Sequence, residues 1–364
     1  MISYGMPISM HHKTHPIHPM TIKIITNYAL PFLLCCVLCN TLTAQNNADS
    51  VRVYLDKSLD IIAKNALNRD KINWVDFRKE LHDKSAQSKN YEDILPLYPY
   101  IFEAIDDHHG ALLYNNKTYK WDGTESIIPN KAVEKAVARY TNVTSVLISK
   151  NIAYIRVPGN NDFNTSKMDS ITRDIKKAIS QVSSKSVKGW IIDLRNNTGG
   201  NMYPMIAGLS DLIGQDEKVG GFITSDGKPD GVWSIKNGTF FVDSTKVAIA
   251  DYDGFPIPKN IPLVVLVSSY TASSGEMTAI ATKGRKNSIL LGENTAGYTT
   301  ANQGFELNSN SGLNLAIAYP IDRNGVRYSY KLVPDTLIVG GDNFEDLKKD
   351  SKIKAAVHWL KNNF

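Results

Sequence analysis

Hydrophobic positions recur at two different spacings along the chain, and the spacing changes near residue 145. Between residues 49 and 105, apolar side chains such as Leu55, Leu59 and Ile62 recur at helical spacing among charged residues. After residue 145, short apolar runs alternate with amphipathic segments. This pattern predicts an α/β fold in which a mainly parallel sheet is flanked by helices, preceded by a small N-terminal helical domain.

The individual strands and helices follow from the same pattern. Residues 189–194 form a short apolar run of the kind that is buried in a parallel sheet. Further strands are predicted at 146–148, 152–157, 218–223, 246–249, 262–267, 289–292 and 313–318, and helices at 163–183, 201–213, 274–285 and 345–362. The chain therefore divides into a helical domain at 45–105, a large domain at 106–342 and a C-terminal helix at 343–364.

The N-terminus has the pattern of an export signal. Lys23 precedes an apolar stretch from Tyr28 to Cys39, which is shorter than the ~20 residues that a bilayer span needs. Ala44 offers a cleavage point, so residues 1–44 are predicted to be a signal peptide and the protein to be periplasmic or secreted. A lipid anchor on Cys39 is the alternative, and it would associate the protein with an outer membrane.

Composition excludes several classes of function. The 364 residues include 41 Lys and Arg against 36 Asp and Glu, and removing residues 1–44 leaves a net charge of +3. That charge is too small and too dispersed to indicate a nucleic-acid partner. All three cysteines lie in the predicted signal peptide, so the remaining chain has no disulfide, thiol nucleophile or cysteine-ligated zinc. No cofactor or metal is predicted, and the oligomeric state is left open.

A glycine pair follows the buried strand at 189–194. The segment from Asp193 to Gly200 reads Asp-Leu-Arg-Asn-Asn-Thr-Gly-Gly and precedes a predicted helix. Two adjacent glycines allow positive φ and close approach of the main chain, and their N–H groups can form a cradle for an oxyanion. Taken alone, the pair favours a plain turn between a strand and a helix.

A serine opens the predicted helix at 274–285. Ser273 follows the strand at 262–267, and such a strand–turn–helix arrangement exposes the nucleophile in several hydrolases. Ser273 and Glu276 also have the spacing of a capping box, in which the serine caps the helix and the glutamate returns to the serine N–H. Spacing alone favours the cap.

Two adjacent histidines end the N-terminal region. His108 and His109 lie between Asp107 and Gly110, and they are the best candidates for a general base in the chain. A two-histidine metal site is the alternative, but no third ligand lies at a suitable spacing.

Taken together and in their order along the chain, with the histidine pair first, the glycine pair second and the serine third, the three segments resemble the tail-specific (C-terminal processing) serine peptidase family. The resemblance covers about residues 70–340 and includes the Gly-Glu-x-Thr-x-Gly stretch at 292–297 and a Pro-Asp marker at 334–335. It implies a crotonase-like spiral core, with the peptidase domain at 106–342. It also implies an endopeptidase that binds extended, exported polypeptides along a sheet edge.

The resemblance also implies a role for individual residues of the site. The serine of the family precedes its glutamate by three positions, which selects Ser273 as nucleophile. The oxyanion donors would be the N–H of Ser274 and that of Gly199 or Gly200. In one branch of the family a lysine base follows the Thr-x-Gly element, but this chain has Tyr298 there.

The chain resembles the other branch, which includes tricorn-type and retinoid-binding-protein-like members and can lack a PDZ domain. In that branch the base is a histidine in an Asp-x-His element, which selects His109, or His108 if the alignment slides by one residue. Its usual third residue, a glutamate, is replaced by Tyr328, and Asp322 and Glu306 are the nearest acidic substitutes.

Two other functions fit the same resemblance. A catalytically weak or inactive module could bind a peptide or an apolar ligand on this fold, because the third acid is missing from its usual position. A crotonase-like hydratase would use a related core, but it would leave Ser273 and the paired histidines without a shared purpose.

Overall fold

The computed structural model describes residues 32–123, 129–215, 217–249 and 255–364. The chain forms two compact units. Of the described residues, the first unit contains those up to Trp121 together with Gln303–Leu315, and the second contains those between Asp122 and Asn302 together with Ala316–Phe364. The predicted signal peptide falls mostly on residues 1–31, outside the described residues, and residues 32–44 lie in the first helix.

The predicted segments in the second half of the chain correspond to observed helices and strands. The helices are α1 (Phe32–Asn65), α2 (Trp74–Ser85), α3 (Leu97–Ala104), α4 (Lys131–Arg139), α5 (Thr165–Val182), α6 (Met202–Gly208), α7 (Ser210–Ile213), α8 (Ser274–Ile280) and α9 (Ser351–Lys361). The strands are β1 (Ala111–Tyr114), β2 (Lys117–Tyr119), β3 (Thr144–Ser149), β4 (Ile152–Arg156), β5 (Gly189–Asp193), β6 (Glu217–Ile223), β7 (Pro229–Lys236), β8 (Thr239–Val242), β9 (Thr245–Ala248), β10 (Leu263–Val267), β11 (Ser288–Gly292), β12 (Ala301–Asn308), β13 (Ser311–Asp322) and β14 (Thr336–Leu337). In this half of the chain, β7, β8, β12 and β14 were not predicted.

The first unit is built on the predicted N-terminal helices. Leu55, Leu59 and Ile62 of α1 are fully buried, and so are Leu81 of α2 and Ile101 of α3. The helical spacing in the sequence therefore marks the buried face of each helix. Strands β1, β2 and the first part of β13 complete this unit with antiparallel pairing. Among the described residues, no helix is both long and apolar enough to cross a membrane.

The second unit contains the predicted parallel sheet. Its strand order is β14-β11-β10-β5-β4-β3, and every pair is parallel except the one between β3 and β4 at the edge. Strands β4, β5 and β10 are buried along their whole length. Helix α9 packs against one face, where Ile353 and Leu360 join the apolar side chains of the sheet. The apolar runs in the sequence reflect this burial on both faces.

A second sheet corrects the prediction of a mainly parallel architecture. In the second unit β6, β7, β8 and β9 form an antiparallel sheet in that order, and the last part of β13 pairs with β6. The chain thus combines one largely parallel and one antiparallel sheet. The pattern missed β7 because its inward positions are Gly231, Trp233 and Ile235, so that only two large apolar side chains reveal the alternation.

Candidate active site

Three neighbouring parallel strands carry the sequence motifs at their carboxyl ends. In the register of the sheet, Asp193 of β5 lies opposite Leu266 of β10, and Val267 of β10 lies opposite Gly292 of β11. The glycine pair, the serine and the Gly-Glu-x-Thr-x-Gly stretch follow these three strands directly. Segments that leave adjacent parallel strands at the same edge converge, which is where open α/β sheets bind their ligands.

Ser273 occupies a strained turn between β10 and α8. Its φ is 50° and its ψ is −118°, a conformation that costs a non-glycine residue about 1–3 kcal/mol. Two hydrogen bonds hold the turn: the Ala272 N–H donates to the Asn197 carbonyl at 3.0 Å, and the Ser273 N–H donates to Glu276 Oε2 at 2.8 Å. The Ser273 side chain stays partly exposed. A strained, accessible serine at a strand-to-helix turn has the geometry of a nucleophile elbow.

Gly199 lies directly against this serine. Its φ is 105°, and an added Cβ would come within 2.9 Å of the Ser273 Cβ and 3.0 Å of the Ala272 carbonyl oxygen. Gly200 has a φ of 109°, and a Cβ there would meet the Asn160 carbonyl oxygen at 2.0 Å. Both positions therefore require glycine, for backbone conformation and for space. The predicted convergence of the glycine pair with Ser273 is present within the second unit.

The main-chain N–H groups beside Ser273 differ in their partners. The Gly199 N–H donates to Asn197 Oδ1 at 3.0 Å, so it is already engaged. The Ser274 hydroxyl donates to the Gly200 carbonyl at 2.5 Å and ties the glycine pair to the start of α8. Ser274 is the first residue of that helix, where an N–H has no partner within the helix. This arrangement favours Gly200 over Gly199 as a donor to a bound oxyanion.

Glu276 is more than a helix cap. Its side chain is fully buried and accepts hydrogen bonds from the Ser273 N–H, the Gly297 N–H at 2.9 Å and the Thr295 hydroxyl. Burial raises the pKa of Glu276 from 4.5 to about 7, although these hydrogen bonds and one from the Tyr298 main chain lower it in part. The spacing in the sequence predicts the cap, but it contains no sign of the burial or of the contacts with residues 295–298.

We expect Glu276→Gln to remove a pH-dependent loss of stability. Because burial raises the pKa of Glu276 to about 7, the unfolded chain ionises at lower pH than the folded chain. The contribution of Glu276 to the free energy of unfolding therefore falls as pH rises from about 4.5 to about 7, by up to about 3 kcal/mol. Glutamine cannot ionise, so the variant should gain stability relative to the native protein over that interval.

Urea unfolding of both proteins between about pH 4.5 and pH 8 measures the difference. The amide that replaces the carboxyl in Glu276→Gln forms weaker hydrogen bonds. This changes the free energy of unfolding by the same amount at every pH. Glu134→Gln changes an exposed glutamate on α4 and serves as the control. A difference between Glu276→Gln and the native protein that stays constant with pH would contradict the expectation.

The paired histidines lie in a turn of the first unit that follows α3. Asp107, whose side chain is buried, accepts hydrogen bonds at Oδ1 from the His109 N–H at 3.1 Å and the Gly110 N–H at 2.6 Å. Gly110 leaves no room for a Cβ, which would meet Asp107 Oδ2 at 2.4 Å. Both histidines are partly exposed, and the His108 ring packs edge-on against Trp121 at 6.3 Å between centroids. Asp107, the acid of the predicted Asp-x-His element, thus fixes the main-chain conformation at the two histidines.

Asp322 forms a turn within the second unit. Its Oδ1 accepts hydrogen bonds from the Asn324 N–H at 2.8 Å and the Val326 N–H at 3.0 Å, and its Oδ2 accepts one from the Tyr328 hydroxyl at 2.9 Å. Burial and the Asp322 carboxylate raise the pKa of Tyr328 above its ordinary value. Glu306 lies in the first unit and is exposed. A role of either acid as third catalytic residue stays a prediction.

Comparisons with known proteins place this chain in a peptidase family. The model of Peptidase family S41 matches residues 151–338, slightly over half of the chain. A nisin-resistance protein from Lactococcus lactis subsp. lactis is 27% identical over 315 residues, which cover 85% of this chain and 86% of that protein. The carboxy-terminal processing protease CtpA from Bacillus subtilis (strain 168) is 30% identical over 183 residues, 50% of this chain and 34% of that protease.

A solved structure shows the same fold. A lipoprotein from Streptococcus agalactiae superposes with a TM-score of 0.62 at 23% identity, covering 86% of this chain and 97% of that one. The family match includes the glycine pair, Ser273 and the stretch at 292–297, and it begins after the histidine pair at 108–109. The predicted relationship to the C-terminal processing peptidases is confirmed. This protein is therefore a peptidase that belongs to family S41.

Proposed function

We propose that this protein is a serine endopeptidase that cleaves exported polypeptides, with Ser273 as its nucleophile. The observation that carries the proposal is the strained backbone of Ser273 at the end of β10, in van der Waals range of Gly199. A helix cap alone does not require a left-handed serine, because N-cap residues ordinarily have extended backbone conformations. The strain is compatible with a side chain that is held toward a substrate.

The N–H groups of Gly200 and Ser274 are proposed to bind the oxyanion. Attack of Ser273 Oγ on a peptide carbonyl places negative charge on the carbonyl oxygen of the tetrahedral intermediate. Two main-chain donors that are already fixed by the fold stabilise that charge without reorganisation, and one such donor is worth roughly 3 kcal/mol. The Gly199 N–H is engaged with Asn197, which supports the choice of Gly200.

His109 is proposed to act as general base and general acid. It would take the proton of the Ser273 hydroxyl during attack and give it to the leaving amine, after which water releases the acyl-enzyme. The choice of His109 rests on its place in the Asp-x-His element. There, the main-chain N–H of His109 donates a hydrogen bond to Asp107 Oδ1. His108 is the second candidate, and its contact with Trp121 favours a packing role.

The substrate is proposed to be an extended polypeptide outside the cytoplasm. The apolar segment from Tyr28 to Cys39 supports export, and so does the likeness to a protein described as a lipoprotein. Main-chain pairing with a sheet edge would recognise an unstructured chain largely independently of its sequence. Because one relative is named for resistance to nisin, nisin is a specific peptide to test as substrate.

A fluorophosphonate probe tests the proposal directly. We expect the purified protein to react covalently with the probe, and mass spectrometry of tryptic peptides to locate the adduct on Ser273. Cleavage of an unstructured peptide and of nisin, followed by mass spectrometry, then identifies the bond that is cut. A protein that binds such peptides without reacting with the probe or cutting them would instead be the binding module that the missing third acid allows.

A further inference from the structure

Six charged side chains form a buried network at the carboxyl end of the parallel sheet. Two are cations and four are carboxylates: Arg195, Lys352, Asp193, Glu293, Asp342 and Asp350. Five of these side chains have no exposed surface, and that of Glu293 is 11% exposed. Burying so many charges is costly unless each has partners, so their mutual geometry is tightly constrained.

Arg195 joins the end of β5 to the start of α9. Its Nη2 and Nε donate to the two oxygens of Asp193 at 2.7 and 2.9 Å, and its Nη1 donates to Asp342 and Asp350, each at 2.7 Å. Asp350 also caps α9, because its Oδ1 accepts a hydrogen bond from the Ile353 N–H at 3.0 Å. The segment that leads to the glycine pair is thereby anchored to the C-terminal helix.

Lys352 of α9 makes the second connection. Its Nζ donates to Asp342 Oδ2 at 2.6 Å, to Glu293 Oε1 at 2.8 Å and to the Gly340 carbonyl at 3.2 Å. Burial opposes ionisation of Glu293, but the Lys352 ammonium and the Gly340 N–H keep the pKa of its carboxyl below the ordinary value. Lys352 lies beyond residue 338, where the family match ends.

Glu293 is the first residue of a loop, residues 293–297, that is hydrogen-bonded to the chain on both sides of Ser273. Two residues later, the Thr295 hydroxyl and then the Gly297 N–H donate to Glu276 Oε1, and Glu276 Oε2 accepts from the Ser273 N–H. On the other side of the serine, the Ala296 N–H donates to the Thr271 carbonyl at 2.9 Å. A displacement of this loop would therefore move the backbone around Ser273.

We infer that Lys352 is a positioning residue for the proposed nucleophile, and that it acts through Glu293 and the loop at 293–297. The inference rests on the proposed function. Without the ammonium of Lys352, the buried Glu293 carboxylate would lose its cation partner while Asp342 kept Arg195, and the loop would have to shift to hydrate Glu293. A displacement of about 1 Å at the reacting atoms is enough to lower a rate by about a hundredfold.

The experiment compares Lys352→Met and Glu293→Gln with the native protein, and it uses the rate of fluorophosphonate labelling of Ser273 as readout. We expect each variant to be labelled about tenfold to a hundredfold more slowly, with kcat for a peptide reduced in parallel and KM within about threefold. Lys354→Met changes an exposed lysine of the same helix and should label at the native rate. Glu293→Gln keeps the side-chain volume and leaves Lys352 paired with Asp342, so it remains informative if Lys352→Met does not fold.

Labelling of folded protein separates positioning from stability. If Lys352→Met and Glu293→Gln lower Tm but label at the native rate, the network only stabilises the fold and the inference is wrong. If the double variant Lys352→Met, Glu293→Gln labels faster than Lys352→Met alone, coupling through Glu293 is supported. A native protein that does not react with the probe would count against the proposed function itself, whereas an unchanged rate in these variants overturns the positioning role alone.

Discussion

Replacing Ser273 by alanine is expected to lower kcat/KM for a peptide by about 10⁴-fold or more and to abolish fluorophosphonate labelling. Removing Oγ eliminates the covalent path, and the main-chain donors of Gly200 and Ser274 sustain at most a small residual rate. Because Ser273 is partly exposed, its loss leaves no buried cavity. The alanine also keeps the N–H that donates to Glu276, so we expect Tm to change by only about 1–2 °C.

Ser274→Ala is the matched comparison for this variant. It removes the hydroxyl that donates to the Gly200 carbonyl but keeps the Ser274 N–H that is proposed to bind the oxyanion. We expect this variant to be labelled at Ser273, more slowly than the native protein. Continued hydrolysis and labelling in Ser273→Ala, together with their loss in Ser274→Ala, would move the nucleophile to residue 274 and would contradict the assignment from the spacing to Glu276.

His109→Ala is expected to have the second-largest effect, a loss of about 10³–10⁴-fold in kcat/KM. A serine hydroxyl attacks poorly unless a base removes its proton, so both acylation and probe labelling should slow. Initial rates of peptide cleavage and rates of probe labelling, compared between the variant and the native protein, test both effects.

His108→Ala serves as the neighbouring comparison. It removes a ring that packs against Trp121 and should change kcat/KM by about tenfold or less. His358→Ala, on the exposed face of α9, controls for the loss of an imidazole elsewhere. If His108→Ala shows the larger loss and His109→Ala stays close to native activity, the base is His108 and the alignment of the Asp-x-His element must slide by one residue.

The positions of the glycine pair and of Ser273 could be predicted from the sequence because each follows a strongly apolar strand. Strands β5 and β10 are buried along their whole length, and their runs of large apolar side chains are easily recognised. Gly199, Gly200 and Ser273 could therefore be placed at strand ends, and parallel pairing brings strand ends together. The antiparallel sheet was harder to predict, since strands with one polar face, such as β7, give a weaker signal than fully buried strands.

The contacts of the polar side chains were harder to predict from the sequence. Ser-x-x-Glu predicts a helix cap at 273–276, and the hydrogen bond from the Ser273 N–H agrees with it. The burial of Glu276, however, depends on a loop about 20 residues further along the chain. Lys352 similarly resembles a solvated lysine of an amphipathic helix, but its charge is buried between Glu293 and Asp342.

The sequence by itself determined the family, the strand–turn–helix segments and the residue types that the chemistry needs, because these depend on local pattern and spacing. Only the tertiary structure decided which glycine N–H is already engaged, why Glu276 has a raised pKa, and which distant helix anchors the loop beside Ser273. The physical reason is that hydrogen-bond partners and the desolvation of charged groups are set by long-range contacts. Burial can turn the same glutamate or lysine from a surface charge into part of the hydrogen-bonded framework around Ser273.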